Sequence, residues 1–131
     1  MRKTILFLIF FLSVIITKAQ RKYRAFEFTT DYTISNKPCK WVSVDYLVSI
    51  DFENYFKIFK STPEQLDVIS SDSYDFDEDG NVVCKYHCLD NEGRVCIVTF
   101  VIYKDKTVTN IATIMVEYSD ISYALRLKDN N

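Results

Sequence analysis

Four cysteines carry the most distinctive chemistry of this 131-residue chain. Cys84, Cys88 and Cys96 lie close together, and Cys39 precedes them by more than forty positions. Thiols grouped in this way could bind a metal ion or form disulfides. Cys84 and Cys88 are separated by about 13 Å along a strand, too far to bond each other or to share one zinc ion. The spacing therefore favours disulfide chemistry.

The residues between Cys88 and Cys96 predict a hairpin. Asp90 to Gly93 is typical of a type I turn followed by a glycine in the left-handed region, a geometry that sets Asp90 opposite Arg94. The same register sets Cys88 opposite Cys96. Facing residues lie about 4.5–5.5 Å apart at Cα, which a disulfide can span. We therefore expect a Cys88–Cys96 disulfide.

The remaining two cysteines form the second predicted pair. An even number of cysteines in a small exported domain favours disulfides over metal binding on redox grounds. Cys39 would then pair with Cys84. Free buried thiols are the alternative for all four residues.

An acidic run precedes the hairpin. Asp75, Asp77 and Asp79 alternate and lead into Gly80, which resembles the opening of an EF-hand calcium loop, where carboxylates and a glycine bend surround a hard cation. The closing position of such a loop falls on Tyr86 instead of a bidentate glutamate. A solvated acidic turn is therefore the favoured interpretation, and a weak calcium site is the alternative. We expect no other cofactor.

Catalytic signatures are missing from the sequence. His87 is the single histidine, and no positioned nucleophile accompanies it. No serine lies in a nucleophile elbow, and two glycines in the whole chain are too few for a phosphate-binding loop. We therefore predict that the protein is not an enzyme and that His87 is a surface residue of a strand.

The N-terminus has the pattern of a secretory signal peptide. Basic Arg2 and Lys3 precede an apolar run over residues 4–16, and Ala19 ends a small-residue segment. The run is shorter than the roughly 20 residues that cross a bilayer as a helix, although an uncleaved anchor is the alternative. We expect residues 1–19 to be removed, and residues 20–131 to form one secreted domain, periplasmic or extracellular, without stable membrane insertion.

The charge balance argues against one class of partner. Cleavage after Ala19 leaves 13 basic against 18 acidic residues, a formal charge near −5. Lys and Arg are also scattered singly along the chain, whereas nucleic-acid-binding proteins carry a clustered basic face. We therefore expect no nucleic-acid partner.

Period-two alternation of apolar residues predicts strands along most of the chain. It is clearest over residues 22–34, with a turn ending at Pro38, and over residues 41–51. Further strands are predicted at 66–70, on both sides of the hairpin turn, at 107–118 and, after a tight link at 119–120, at 121–127. Seven or eight strands with short links predict an all-β antiparallel meander that closes into a small barrel, with a β-sandwich as the alternative.

Two segments permit a helical interpretation. Residues 51–60 fit either a helical face or a turn at 52–54 followed by a strand, and we favour the strand because Tyr, Phe and Ile suit pleated surfaces. Residues 62–65 resemble a helix capping box with proline at the first helical position, which would give one helical turn.

Aromatic side chains are the main binding resource of the sequence. Core packing is their favoured role, and lining of a barrel cavity is the alternative. The alternation places seven of them inward: Phe26, Phe28, Tyr32, Tyr46, Tyr86, Phe100 and Tyr123. It places four outward, where together they would form an apolar platform: Trp41, Tyr55, Phe59 and Tyr103.

These features predict a small exported binding protein that holds an apolar or glycan ligand through aromatic residues. The alternative is a secreted protein-interaction module of the inhibitor, immunity or adhesion type. Such a module would use an exposed strand edge or the acidic segment Asp72 to Asp79 against a basic partner.

Overall fold

The computed structural model describes residues 20–30, 40–105 and 110–130. In chain order the strands are β1 Gln20–Thr30, β2 Val42–Asp51, β3 Tyr55–Phe59, β4 Glu64–Ser71, β5 Asp75–Phe76, β6 Val82–Leu89, β7 Val95–Ile102, β8 Ala112–Glu117 and β9 Ser122–Asp129. None of the described residues forms a helix that could cross a membrane. The predicted signal peptide, Cys39 and Tyr32 lie outside the described residues.

Eight antiparallel strands close into a barrel. Each pairs with its neighbour in the sequence, and β1 pairs with β9, so that the first and last strands complete the ring. The two-residue strand β5 is extra. It continues the path of β4 along the same side of β6, since the other side of β6 pairs with β7 over its full length. The all-β meander and the barrel are confirmed.

Alternating side chains fill the barrel. On β2 the predicted inward positions Tyr46, Val48 and Ile50 are in the core, with Val48 and Ile50 fully buried. Val42, which begins the same face, is 46% exposed at the strand end. The largest fully buried side chains come from strands all round the ring: Phe56, Phe100, Ile50, Ile58, Leu66, Ile114, Leu125 and Leu127. The interior is therefore a packed core.

Aromatic rings close one end of the barrel. Phe52, in the turn after β2, packs 5.4 Å from Phe100, 6.1 Å from Phe56 and 6.2 Å from Tyr86 between ring centroids. Phe56 and Tyr86 are themselves 5.0 Å apart, at 66°. Edge-to-face contacts of this kind add to the stabilisation from area burial. The turn at 52–54 and the following strand, favoured over a helix from the sequence, are confirmed.

Two hairpin turns share one aspartate-capped geometry. Gly93 N–H donates to Asp90 O at 3.0 Å, while Asp90 Oδ1 accepts from the N–H groups of Glu92 and Arg94. The turn from Asp77 to Asn81 repeats these bonds residue for residue. Both turns place a glycine at positive φ, 79° for Gly93 and 83° for Gly80. The predicted turn at Asp90 to Gly93 and its register are confirmed.

A bulge in β1 changes the predicted inward face. The register with β9 passes from Ala25–Leu127 to Glu27–Arg126, which leaves Phe26 as the extra residue. Ala25 is fully buried before the bulge, and Phe28 packs on the core after it. The prediction that Phe26 shares one inward face with Phe28 was wrong, because a bulge shifts the alternation by one residue.

An ion pair lies on the outer wall over the β1–β9 seam. Arg126 Nη1 is 3.1 Å from Glu27 Oε1, and its guanidinium lies 3.8 Å from the ring centre of Trp41. The other outward aromatics have separate surroundings: Tyr103 bonds Thr113 at 2.6 Å, and Phe59 lies 5.1 Å from Lys57 Nζ. Trp41 is therefore a stacking partner of Arg126, whereas Tyr55 and Phe59 are the two ends of β3.

The predicted helical turn at residues 62–65 was wrong. Glu64 and Gln65 begin β4, where Glu64 pairs with Ile58 and Gln65 pairs with Lys57. Asn91 also accepts the Gln65 N–H at 2.9 Å. The Gln65 N–H, which a capping box at residues 62–65 would have bonded within the segment, is therefore bonded to Asn91 of the β6–β7 turn instead.

Gly93→Ala should lower the free energy of unfolding by about 1–2 kcal/mol, because a Cβ disfavours the left-handed region. Nothing lies within 4 Å of a Cβ built there, so the loss reports the backbone alone. Gly93→Asn should lose less, since asparagine tolerates this region. Urea unfolding measures both variants, and an alanine variant as stable as the parent would contradict the prediction.

Candidate functional site

A cleft opens at the end of the barrel opposite the Phe52 cluster. The β6–β7 and β8–β9 turns and the link from β3 to β4 meet at this end. The cleft has a volume of about 400 Å³. Phe28, Ile121 and Tyr123 contribute its apolar lining. We refer to it as the mouth cleft.

Glu64 anchors one side of the mouth cleft. It lies two residues before the buried Leu66, so strand alternation turns it toward the barrel end. Its Oε1 accepts a hydrogen bond from Tyr123 Oη at 2.8 Å, and its Oε2 lies 2.9 Å from Lys60 Nζ. Tyr123 also packs on Phe28, with ring centroids 5.8 Å apart. The carboxylate therefore fixes both an aromatic ring and a cation.

Asp90 anchors the other side. Its Oδ1 caps the turn, which leaves Oδ2 to accept from Tyr118 Oη at 3.0 Å and from Arg94 Nε at 3.1 Å. The Arg94 guanidinium lies 4.6 Å from the centre of the Tyr118 ring. Tyr118 Oη is also 3.5 Å from Glu64 Oε1, which connects the two sides.

Glu64 and Asp90 are less accessible than the cations that they bind. The side chain of Asp90 is 6% exposed and that of Glu64 is 18% exposed, whereas Lys60 is 37% and Arg94 51% exposed. These two carboxylates thus lie within the wall and the cations reach solvent, where the exposed Glu92 lies 3.7 Å from Arg94 Nε. A ligand entering the mouth cleft meets ammonium and guanidinium donors beside an apolar surface.

Burial and hydrogen bonding set the protonation of this network. Burial raises the pKa of Asp90, but donors from Arg94, Tyr118 and Glu92 outweigh it and hold the pKa below its usual range. Burial also raises the pKa of Tyr118 and Tyr123, and the acceptor carboxylates add to that effect. Both phenols therefore stay neutral donors at neutral pH.

The cysteines have the predicted register without the predicted bond. Cys88 faces Cys96 across β6 and β7, both are buried, and the three described cysteines, including Cys84, are free thiols. Burial raises the pKa of Cys88 to about 12 and that of Cys96 to about 11. The proposed partner of Cys84, Cys39, lies outside the described residues.

The acidic run forms the turn between β5 and β6. Asp77 Oδ1 accepts from the N–H groups of Asp79 and Asn81, and its Oδ2 accepts from Asn81 Nδ2. The bonds from Asn81 hold the pKa of Asp77 below its usual range. Asp75 Oδ1 accepts the N–H of Phe76. These carboxylates therefore shape the turn, and calcium binding by Asp75, Asp77 and Asp79 stays a prediction.

No three His, Cys, Asp or Glu side chains converge on a metal-binding geometry within the part of the chain that the structure describes. His87 lies on β6 with Nε2 3.6 Å from Asp72 Oδ1, and its side chain is 42% exposed. It is thus a half-exposed strand residue on the outer wall, as predicted.

Glu64 and Tyr118 belong to this site although the sequence did not single them out as binding residues. Glu64 was assigned to the helical turn that proved wrong. The signal that could have found it is its two-residue spacing from Leu66, which places a carboxylate on an inward face. Tyr118 directly follows β8 and lies two residues after the buried Val116, so the same reasoning applies.

Comparison of the chain with protein-family models, curated proteins and solved structures gives no significant match.

Alkaline conditions should destabilise the fold through its buried tyrosines. Burial raises the pKa of Tyr86 to about 12 in the folded state, whereas a tyrosine in the unfolded chain has a pKa of about 10. The resulting stabilisation is fully present below about pH 10 and is lost as the pH rises through the folded-state pKa. The urea midpoint should fall between about pH 9 and about pH 11. Tyr123→Phe should make that fall shallower.

Tyr74→Phe provides the matched control, because Tyr74 is 66% exposed. This variant should follow the parent protein across the same pH range. An equal slope for the Tyr123→Phe variant and the parent would contradict the assignment of Tyr123 to the buried network.

Proposed function

We propose that this protein is a small exported, non-catalytic binding protein that holds an acidic glycan in the mouth cleft. The observation that carries the proposal is the arrangement of charge. The two exposed cations, Lys60 and Arg94, stand beside an apolar wall, while Glu64 and Asp90, which position them, are withdrawn into the barrel end. A carboxylated sugar presents the complementary pair of features, a negative group and a ring face of C–H bonds.

The mouth cleft is a better site than the barrel interior. The interior positions are occupied by fully buried side chains such as Phe56, Phe100 and Ile114. A ligand there would have to displace packed core atoms, at a cost similar to overpacking. The end-facing residues Phe28 and Tyr123 are only partly buried and can contact a ligand without such rearrangement.

The polar groups of the mouth cleft are held in fixed orientations. Glu64 positions Lys60, and Asp90 positions Arg94 against the Tyr118 ring. Fixed donors lose little conformational entropy when a ligand binds, which improves affinity. The guanidinium also retains donors beyond the Nε bond to Asp90, and these can contact a carboxylate.

Export is part of the proposal. The basic, apolar and small-residue order of residues 1–19 supports secretion to the periplasm or the extracellular space. A glycan ligand also suits such compartments.

An oligomer of galacturonic acid should bind more tightly than the matching neutral galactose oligomer. Lys60→Gln should weaken binding of the acidic oligomer at least tenfold and leave the neutral one nearly unchanged, because only the charge contact is removed. Ile121→Ser should weaken both, since it reduces the apolar wall. Calorimetry and amide chemical shifts of residues 118–123 provide the measurements.

Lys85→Gln is the charge-matched control, because Lys85 is exposed on β6 away from the mouth cleft. It should bind like the parent protein. Equal affinity for acidic and neutral oligomers, or unmoved amides with both, would exclude the proposed ligand class.

We also propose that Cys88 and Cys96 are joined in the exported protein. Their facing positions support this bond, and closing so small a loop would stabilise the fold by about 2–3 kcal/mol in the chain-entropy model. Non-reducing peptide mapping of secreted protein should recover the 88–96 linkage, with Cys39 linked to Cys84. Recovery of a free Cys88 beside a Cys39–Cys96 pair would contradict it.

A further inference from the structure

Residues 69–76 form a sheet edge at the end of the barrel opposite the mouth cleft. On one side this segment pairs with β6, through Ser71–Tyr86 and Phe76–Val82. On the other side the contact with the β2–β3 hairpin ends at the bond from Val68 N–H to Asn54 O, at 2.9 Å. No described strand lies against that side beyond Val68. We refer to residues 69–76 as the open edge.

The open edge presents backbone groups that another strand could use. Asp72 N–H donates to Lys85 O, so antiparallel alternation directs the N–H and C=O of Ser71 away from β6. Asp77 N–H donates to Asn81 O, so the backbone N–H and C=O of Phe76 are likewise directed away from β6. The Phe76 N–H donates to the side chain of its neighbour Asp75, at 2.8 Å. An incoming strand could replace that local bond.

Large apolar side chains accompany these backbone groups. Ile69 is 59% exposed, Tyr74 66% and Phe76 61%. The rings of Tyr74 and Phe76 pack edge to face, with centroids 5.9 Å apart at 85°. Exposed apolar groups gathered on one edge mark an interaction surface, because a solvated hairpin tip gains nothing from them.

The charge of residues 72–79 determines which kind of strand the open edge can bind. Five of the eight residues from Asp72 to Asp79 are acidic and none is basic. The same edge of a second copy would bring like charges together, which disfavours self-pairing. A strand that carries Lys or Arg would instead meet complementary charge at Asp72 and Asp75 and at the acidic residues that follow the edge.

We propose that the open edge binds an extended, basic segment of a partner protein by strand addition. Backbone bonds at Ser71 and Phe76 supply affinity, the Tyr74–Phe76 pair packs on apolar side chains of the segment, and Asp72 and Asp75 select its basic residues. This surface is independent of the mouth cleft.

The test uses a blocked seven-residue peptide that alternates lysine and valine. Titration into the protein should give saturable binding, and amide hydrogen exchange at Ser71 should slow at least tenfold. Raising salt from about 50 mM to about 500 mM should weaken binding at least tenfold, because the selecting contacts are ionic. The double variant Asp72→Asn with Asp75→Asn should lose at least tenfold in affinity, while Asp45→Asn, on exposed β2 surface, should lose nothing.

Two further peptides separate strand addition from simple charge attraction. A version N-methylated at every residue keeps its charge but has no backbone donor on either edge, and it should not bind. A glutamate–valine version should not bind either. Equal binding of the N-methylated or the glutamate peptide, or unchanged exchange at Ser71, would overturn the proposal. So would a dimer that forms through this edge, seen as concentration-dependent sedimentation that the double variant changes.

Discussion

Pairing of β1 with β9 is the constraint on which the rest of the structure depends. Every other pairing in the ring joins strands that follow one another in the sequence, whereas this one joins the two ends of the domain. Without it, β1 and β9 would each expose an unpaired edge and one face of the sheet would lose its cover. The bulge at Phe26 and the Glu27–Arg126 ion pair both lie along this seam.

Closure also determines where a ligand can bind. Eight strands enclose an interior just wide enough for side chains to fill, and the fully buried residues occupy it. Polar groups cannot enter that core without partners, so inward positions become polar only at the last layer of the barrel. Glu64 and Tyr123 lie in this layer and satisfy each other, which makes the barrel end the natural place for a polar site.

Local patterns made the fold predictable, while the site depended on contacts between distant residues. Alternation and turn chemistry were enough for the strands, for the hairpin at Asp90 to Gly93 and for the Cys88–Cys96 register. The bulge at Phe26 was not visible, because it is fixed by pairing with β9, about a hundred residues away. Glu64 was misassigned for the same reason: its partners are Lys60 on one side and Tyr123 on the other, and only the first is local.

The two capped turns show how context gives one motif different roles. Asp77 and Asp90 make the same backbone bonds, and each is followed by a glycine at positive φ. At the acidic tip the second oxygen of Asp77 is used by Asn81 of the same turn. At the mouth cleft the second oxygen of Asp90 instead binds Tyr118 and Arg94. The motif therefore specifies a bend, and the strands around it decide whether its carboxylate also organises a site.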